Sequence, residues 1–182
     1  MTELDAAIGD ADHGSNMDRG FSEVKTELAK SAPTGIGAIF KVAATTLIKT
    51  VGGASGPLYG TFFLRAGAAC PDVPEVQAAD VAAMFRAGID GIVQRGKADL
   101  GDKTMVDALI PARDAMAGVD DVGTIMERAA AAAEAGMQAT IAMQARKGRA
   151  SYLGARSVGH ADPGATSAYL LMRAAADVWR SR

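Results

Sequence analysis

The sequence holds one cysteine, Cys70. A single thiol excludes an internal disulfide framework and suits a reducing cytoplasm. Cys70 lies in Ala68-Ala69-Cys70-Pro71 at an expected helix end, a poor setting for a catalytic nucleophile. Aromatic residues make up only 5% of the chain, so the core has to be built from Ala, Leu, Ile, Val and Met. Positive charge is not in excess. The formal net charge of −2 argues against a nucleic-acid polyanion as the main partner. No signal peptide and no apolar run long enough to span a bilayer is visible, so the expected location is cytoplasmic and away from membranes. The Gly-Lys-Ser/Thr ending of a Walker A loop is missing, and so are clear internal repeats and low-complexity linkers.

What is present reads as helix. At 182 residues the chain fits one domain, 1–182, with a real core. Helical patterns cover about 15–31, 35–51, 56–70, 75–95, 103–117, 121–147 and 163–181. Apolar residues recur at three- and four-residue steps, as in Ile39, Val42, Ala43 and Leu47, or Ala168, Leu171, Met172, Ala175 and Trp179. Frequent Ala favours helix and permits close approach of helices. Alternating strand patterns are scarce. Short connections between helices of similar length predict an all-α bundle or closed barrel of antiparallel amphipathic helices.

The opening run Leu4-Asp5-Ala6-Ala7-Ile8-Gly9-Asp10-Ala11-Asp12-His13-Gly14-Ser15-Asn16-Met17 concentrates three carboxylates before a helix start. Asp10 and Asp12, two residues apart, point the same way in an extended segment. Asp5 can meet them across the Gly9 bend. Three mutually repelling carboxylates are costly unless a cation neutralises them. Hard divalent cations such as Mg²⁺ take such oxygens and share their shell with phosphates, and a helix N-terminus attracts phosphate. The spacing does not fit an EF-hand. A solvated acidic turn is the plainer alternative.

Three later segments are similarly punctuated. Gly52-Gly53-Ala54-Ser55-Gly56-Pro57 can be a ligand loop or a tight helix–helix turn. Gly101-Asp102-Lys103-Thr104-Met105 leads into an apolar helix. There Lys103 could meet phosphate, although solvation is the commoner fate of a lysine, and Met105 suits either core or an adaptable pocket. Ala145–Ala165 carries Arg146, Lys147, Arg149 and Arg156 and is too long for a bare connector. Asp162-Pro163 can be an N-cap followed by a first-turn proline, and His160 alone reads as structural or exposed. In an up-and-down array these four loops fall at one end by helix parity.

Taken together, the four segments resemble the nucleotide-binding subunit or domain of dihydroxyacetone kinase, the DhaL type. The matched motifs are Asp5-x4-Asp10-x-Asp12-His13-Gly14-x-Asn16-Met17, Gly52–Pro57, Gly101–Met105 and Ala145–Pro163, in that order and across essentially the whole chain. The resemblance implies a barrel of antiparallel helices with nucleotide at one end. It implies that Asp5, Asp10 and Asp12 hold two Mg²⁺ that bridge the phosphates of ADP or ATP. His13, Gly14, Ser15 and Asn16 would contact phosphate. Ala54, Ser55, Gly96 and Met105 would line the nucleotide pocket. Arg149 and the turn Asp162-Pro163-Gly164 would help close it.

No residue is assigned a catalytic role beyond positioning metal and phosphate. In the family a histidine on a separate subunit or domain binds dihydroxyacetone, and neither His13 nor His160 is given that role. The resemblance therefore implies half an enzyme, active with a dihydroxyacetone-binding partner, and compatible with a homodimer. In the phosphotransferase-system type, resident ADP is rephosphorylated by a phosphohistidine carrier subunit. In the alternative type, ATP exchanges. A non-catalytic, nucleotide-loaded regulatory adaptor is a third reading, and a related fatty-acid kinase domain fits His13 and the later loops less well. Family members carry a further helix before the first metal-binding Asp. Here Asp5 lies four residues from Met1, so seven helices are expected where the family has eight.

Overall fold

The structure is a computed structural model, and it describes residues 2–70, 73 and 75–180. Among these residues there are eight α-helices, two 3-10 segments and no strand. The helices are α1 (Thr2–Ile8), α2 (His13–Ser31), α3 (Ile36–Thr50), α4 (Ser55–Ala69), α5 (Ala78–Gly96), α6 (Val106–Ala115), α7 (Val122–Ala139) and α8 (Pro163–Arg180). The 3-10 segments are Thr140–Ala142 and Arg149–Ser157.

The all-helical expectation holds, and its details change in three places. Thr2–Ile8 is helical, which makes eight α-helices rather than the seven expected and puts Asp5 on a helix. The stretch is too short for periodicity to register, but Glu3 and Asp5 in its first turn complement the helix dipole. The helix expected over 121–147 stops at Ala139, where the Thr140 hydroxyl donates to the Met137 carbonyl and Met143 turns extended. The helix expected from 103 begins at Val106, because Lys103 has a left-handed backbone (φ 62°) that no helix interior accepts.

The chain forms two compact units. One contains the chain up to His13 and the chain from Ala98 onward; the other is Gly14–Lys97. In the Gly14–Lys97 unit, α3 packs on α4 and α4 on α5. Phe21, Phe40, Phe62, Phe63 and Phe85 form a chain of edge-to-face contacts with centroids 5.2–6.4 Å apart. The five phenylalanines of this sequence are thus spent in one place, where edge-to-face pairs add to burial. Arg19 fastens α2 to the end of α3, its guanidinium donating to the Thr50 carbonyl (3.0 Å) and to Asn16 Oδ1 (2.6 Å).

In the other unit, α6, α7 and α8 pack on one another. Their buried faces are mostly small: Ala108, Ala112, Ala129, Ala130, Ala133, Ala165 and Ala168 are all fully buried. Small side chains let the backbones approach, and Gly136 of α7 is the extreme case. A Cβ there would sit 2.1 Å from the Asp107 carbonyl oxygen at the start of α6. Across the outer side, Glu127 of α7 receives Arg173 (2.6 Å) and Arg180 (2.5 Å) of α8. The caps are local. Asp121 accepts from the Thr124 amide (2.7 Å) and Asp162 from the Ala165 amide (2.7 Å), each filling an orphan donor of the first turn. Among the described residues no helix is long and apolar enough to cross a membrane.

Gly136→Ala should destabilise the fold by about 1–3 kcal/mol in urea titration, the usual cost of overpacking, although Ala gains up to about 1 kcal/mol of helix propensity over Gly. A neutral or stabilising result would show that α6 and α7 can separate at no cost.

Candidate metal centre and its surrounding loops

Asp5, Asp10 and Asp12 come together at the start of α2. Each can offer one carboxylate oxygen such that all three lie within 4.8 Å of one another. The geometry differs from the extended arrangement expected. Asp5 projects from α1, while Asp10 and Asp12 sit in the turn that follows, bent by Ala11 in a left-handed conformation (φ 63°). Asp5 is buried, and Asp10 and Asp12 are exposed. The Gly9 amide closes α1 on the Asp5 carbonyl (2.6 Å). A Cβ at Gly9 would stand 2.0 Å from Asp5 Oδ1, so glycine leaves that oxygen its space.

Asp5 also sets the entry to α2. Its Oδ2 accepts from the His13 amide (2.9 Å), so a carboxylate neutralises the positive end of the helix. The His13 ring is held by Ser167 of α8, Nε2 to Oγ 2.9 Å. Burial lowers the His13 pKa, against the raising fields of Asp5 and Asp12. Arg149 reaches this cluster from the second 3-10 segment and pairs with Asp10 at 3.0 Å. Ile8 packs with Ala145, Ala150 and Leu153 below the same contact. Three hard oxygen donors, one relieved of a steric neighbour by glycine, fit a divalent cation such as Mg²⁺.

The loops of this unit converge further. Asp107 of α6 accepts from the Gly101 amide (2.6 Å) and the Thr104 amide (2.8 Å), which folds the Gly101–Met105 turn. The Arg146 amide donates to the Asp102 carbonyl (3.0 Å). A cleft of about 450 Å³ lies between these loops, lined by Gly101, Met143, Gln144 and Arg146. Met105 is buried, and a Cβ on Gly164 would stand 3.4 Å from its amide, so the α8 entry turn sits directly against it. Asp162 and Pro163 adopt the N-cap and first-turn positions. The Asp162 amide donates to Thr140 Oγ1 (2.9 Å), joining this cap to the end of α7.

Lys103 meets neither solvent nor an open space. It is 1% exposed, and its Nζ donates to the carbonyls of Met143 (3.0 Å), Ser157 (2.5 Å) and His160 (2.7 Å). The solvated lysine expected from sequence is thus a buried one.

The remaining expected residues lie in the Gly14–Lys97 unit. Gly14, Ser15 and Asn16 are in the first turn of α2, and Asn16 is buried beside Gly52, its Nδ2 3.5 Å from where a Gly52 Cβ would be. Ala54 and Ser55 are at the start of α4. Gly96 ends α5, next to Leu58. Sequence reasoning missed Asp107, Thr140 and Ser157, all buried. Asp107 had a signal, standing three residues after Thr104 at a helix start; Thr140 and Ser157 had none.

The DAK2 domain matches residues 7–177, and the chain belongs to this family. It is 50% identical over 177 residues to the PEP-dependent dihydroxyacetone kinase, ADP-binding subunit DhaL, of Escherichia coli (strain K12), covering 95% of this chain and 84% of that one. It is 43% identical over 175 residues to the PTS-dependent dihydroxyacetone kinase, ADP-binding subunit DhaL, of Lactococcus lactis subsp. lactis, covering 93% and 83%. Among solved structures, the dihydroxyacetone kinase from C. freundii in complex with AMP-PNP and Mg²⁺ matches with a TM-score of 0.73 at 27% identity. That match covers 97% of this chain and 30% of the other.

Burial, with the nearby Asp107 charge, raises the Asp162 carboxyl from 3.8 to about 7, against its amide bonds and the Lys103 charge. Between those values the folded protein holds a proton that the unfolded chain releases, so this group's contribution to stability falls as pH rises from about 4 to 7. Asp162→Asn keeps a capping oxygen and removes the titration. Its urea midpoint should vary less between pH 5 and 7.5 than that of the wild type, and equal slopes would contradict the assignment.

Proposed function

We propose that this chain is the nucleotide-binding subunit of a kinase for dihydroxyacetone or a similar short-chain ketose, in the cytoplasm. The observation that carries the reading is the Asp5, Asp10 and Asp12 cluster at the start of α2, in a chain half identical to an ADP-binding subunit. In this reading the chain is one nucleotide-binding domain. Asp5, Asp10 and Asp12 hold two Mg²⁺, and the metal, when bound, neutralises phosphate charge. The turn His13–Asn16 supplies backbone N–H groups to phosphate. Ala54, Ser55, Gly96 and Met105 border the nucleotide, with Arg149 and Asp162-Pro163-Gly164 closing over it.

Phosphoryl transfer asks for positioning and charge balance more than covalent chemistry, which suits a site without a nucleophile of its own. The ketose would be bound by a partner subunit. In this reading a phosphohistidine carrier would rephosphorylate ADP in place, which is consistent with two relatives being named PEP-dependent and PTS-dependent ADP-binding subunits. An exchanging ATP kinase is the second reading. It is favoured by a 37% identity to the L-erythrulose 1-kinase of Mycolicibacterium smegmatis, of which the chain spans 31%. That relative also leaves the ketose itself open.

Native mass spectrometry of the purified protein in Mg²⁺ separates the readings. A mass increase of ADP plus two Mg²⁺ is expected for the resident-cofactor subunit, and reversible binding of added Mg²⁺–ATP by apo protein supports exchange. Absence of all nucleotide binding would sink both. Asp12→Asn should weaken metal-dependent nucleotide binding by more than roughly 100-fold, since it removes a direct ligand and loss of an outer-shell partner alone costs about 10–100-fold. Phosphotransfer to dihydroxyacetone with a purified ketose-binding subunit then distinguishes enzyme from adaptor.

A further inference from the structure

We propose that Lys103 is a tethered internal cation whose ammonium holds the Met143–His160 segment in place, making it a positioning residue for Arg149. An ammonium has three donors and no acceptor. Here all three donors are directed at backbone carbonyls, those of Met143, Ser157 and His160, which lie 40, 54 and 57 residues further along the chain. None is left for phosphate, which separates Lys103 from a phosphate-binding lysine. The side chain is 1% exposed. A buried charge is unfavourable unless fully hydrogen-bonded, and a left-handed backbone at a residue with a Cβ adds strain. Both costs are accepted at one residue, and both serve the same contact, because the reversed turn at Lys103 aims the side chain inward.

The three acceptors bracket the segment that carries Arg149. Met143 precedes it, and Ser157 and His160 follow. Inside the bracket, Ser157 Oγ accepts from the Ala145 amide and donates to the Gly154 carbonyl, and the Ser151 amide and hydroxyl both return to Gly148. Links out of it run from the Arg146 amide to the Asp102 carbonyl, adjacent to Lys103, from the Gly159 amide to the Ile141 carbonyl and from Arg149 to Asp10. Arg149, Tyr152 and Arg156 are exposed. The segment therefore has no buried face wide enough to order itself, apart from Ala145, Ala150 and Leu153 on Ile8. Lys103 supplies the missing order from beneath. The acid nearest to it in charge effect is Asp162, which already caps α8, so the carbonyls and not an ion pair define the cage.

The connection from Lys103 to nucleotide rests on the function proposed above; the cage itself is tested without nucleotide. Hydrogen exchange is measured on nucleotide-free wild type, Lys103→Ala, Lys103→Ala with added ethylammonium, and Lys103→Arg. Amides of 143–160 should exchange at least roughly tenfold faster in Lys103→Ala, with α7 and α8 unchanged, as expected of a locally opened segment. Ethylammonium should restore protection by refilling the cage, while Lys103→Arg should not, since a guanidinium is too broad for it. Unchanged protection in Lys103→Ala, or full rescue by Arg, would overturn the proposal.

Should Lys103→Ala fail to fold, the wild type still decides. Its Lys103 ammonium should show a ¹⁵N–¹H NMR signal in slow exchange with water, and a fast-exchanging, water-like signal would refute the cage. With Mg²⁺–ADP, Lys103→Ala should release nucleotide faster while Mn²⁺ binding to the aspartates is unchanged. A wild type that binds no nucleotide would remove the functional reading and leave the exchange result standing.

Discussion

A single buried ammonium decides how the loops of the Ala98–Arg180 region are arranged. Lys103 needs three acceptors, and the chain supplies them from three carbonyls that no helix or strand has used. Their distribution explains why the helix that sequence extends to residue 147 ends at Ala139. A continued helix would use the Met143 carbonyl internally and leave the ammonium short of an acceptor. The polar residues around it follow the same logic. Asp107, Thr140, Ser157 and Asp162 are buried; the first three accept from backbone amides of nearby loops, and Asp162 accepts from the Ala165 amide in the first turn of α8. The region is ordered by polar groups meeting backbone, with small apolar helices as its frame.

The acidic cluster works by a related principle. Asp5 serves α2 as a capping carboxylate through Oδ2, and Gly9 leaves space at Oδ1. Asp10 and Asp12 add charge that burial does not relieve, since both are exposed. Arg149 balances part of it at 3.0 Å. A cation and the polyphosphate it brings would balance the rest. The basic 145–156 stretch and the acidic 5–12 stretch thus belong to one electrostatic unit, although they are distant in sequence and the chain as a whole is close to neutral.

The other half of the chain is built by different means. Gly14–Lys97 uses apolar helix faces and all five phenylalanines, with Arg19 as a polar bracket on Thr50. Its candidate ligand residues stand at helix ends: the first turn of α2, the start of α4 and the end of α5. Helix ends are where backbone donors and acceptors are left over, which makes them natural places for a ligand-binding loop.

Much of this was legible in the residues alone. Apolar spacing marked α2 to α8, because periodicity over 10 or more residues reflects a buried face whatever that face packs on. The clustering of Asp5, Asp10 and Asp12 was legible because a local turn suffices to bring them together. Asp162 and Pro163 announced the start of α8 through capping chemistry, which is also local. What tertiary structure alone decided was the fate of residues whose partners are remote. A lysine after a glycine turn looks solvated until carbonyls 40 to 57 residues away surround it. Arg149 looks like one more basic loop residue until Asp10 is found opposite it. Local propensity and capping extend over a few residues, so sequence determined α2 to α8 as elements and the start of α8, but not the short α1 or the end of α7. Which remote groups share a buried charge depends on how those elements pack, and no local pattern encodes that.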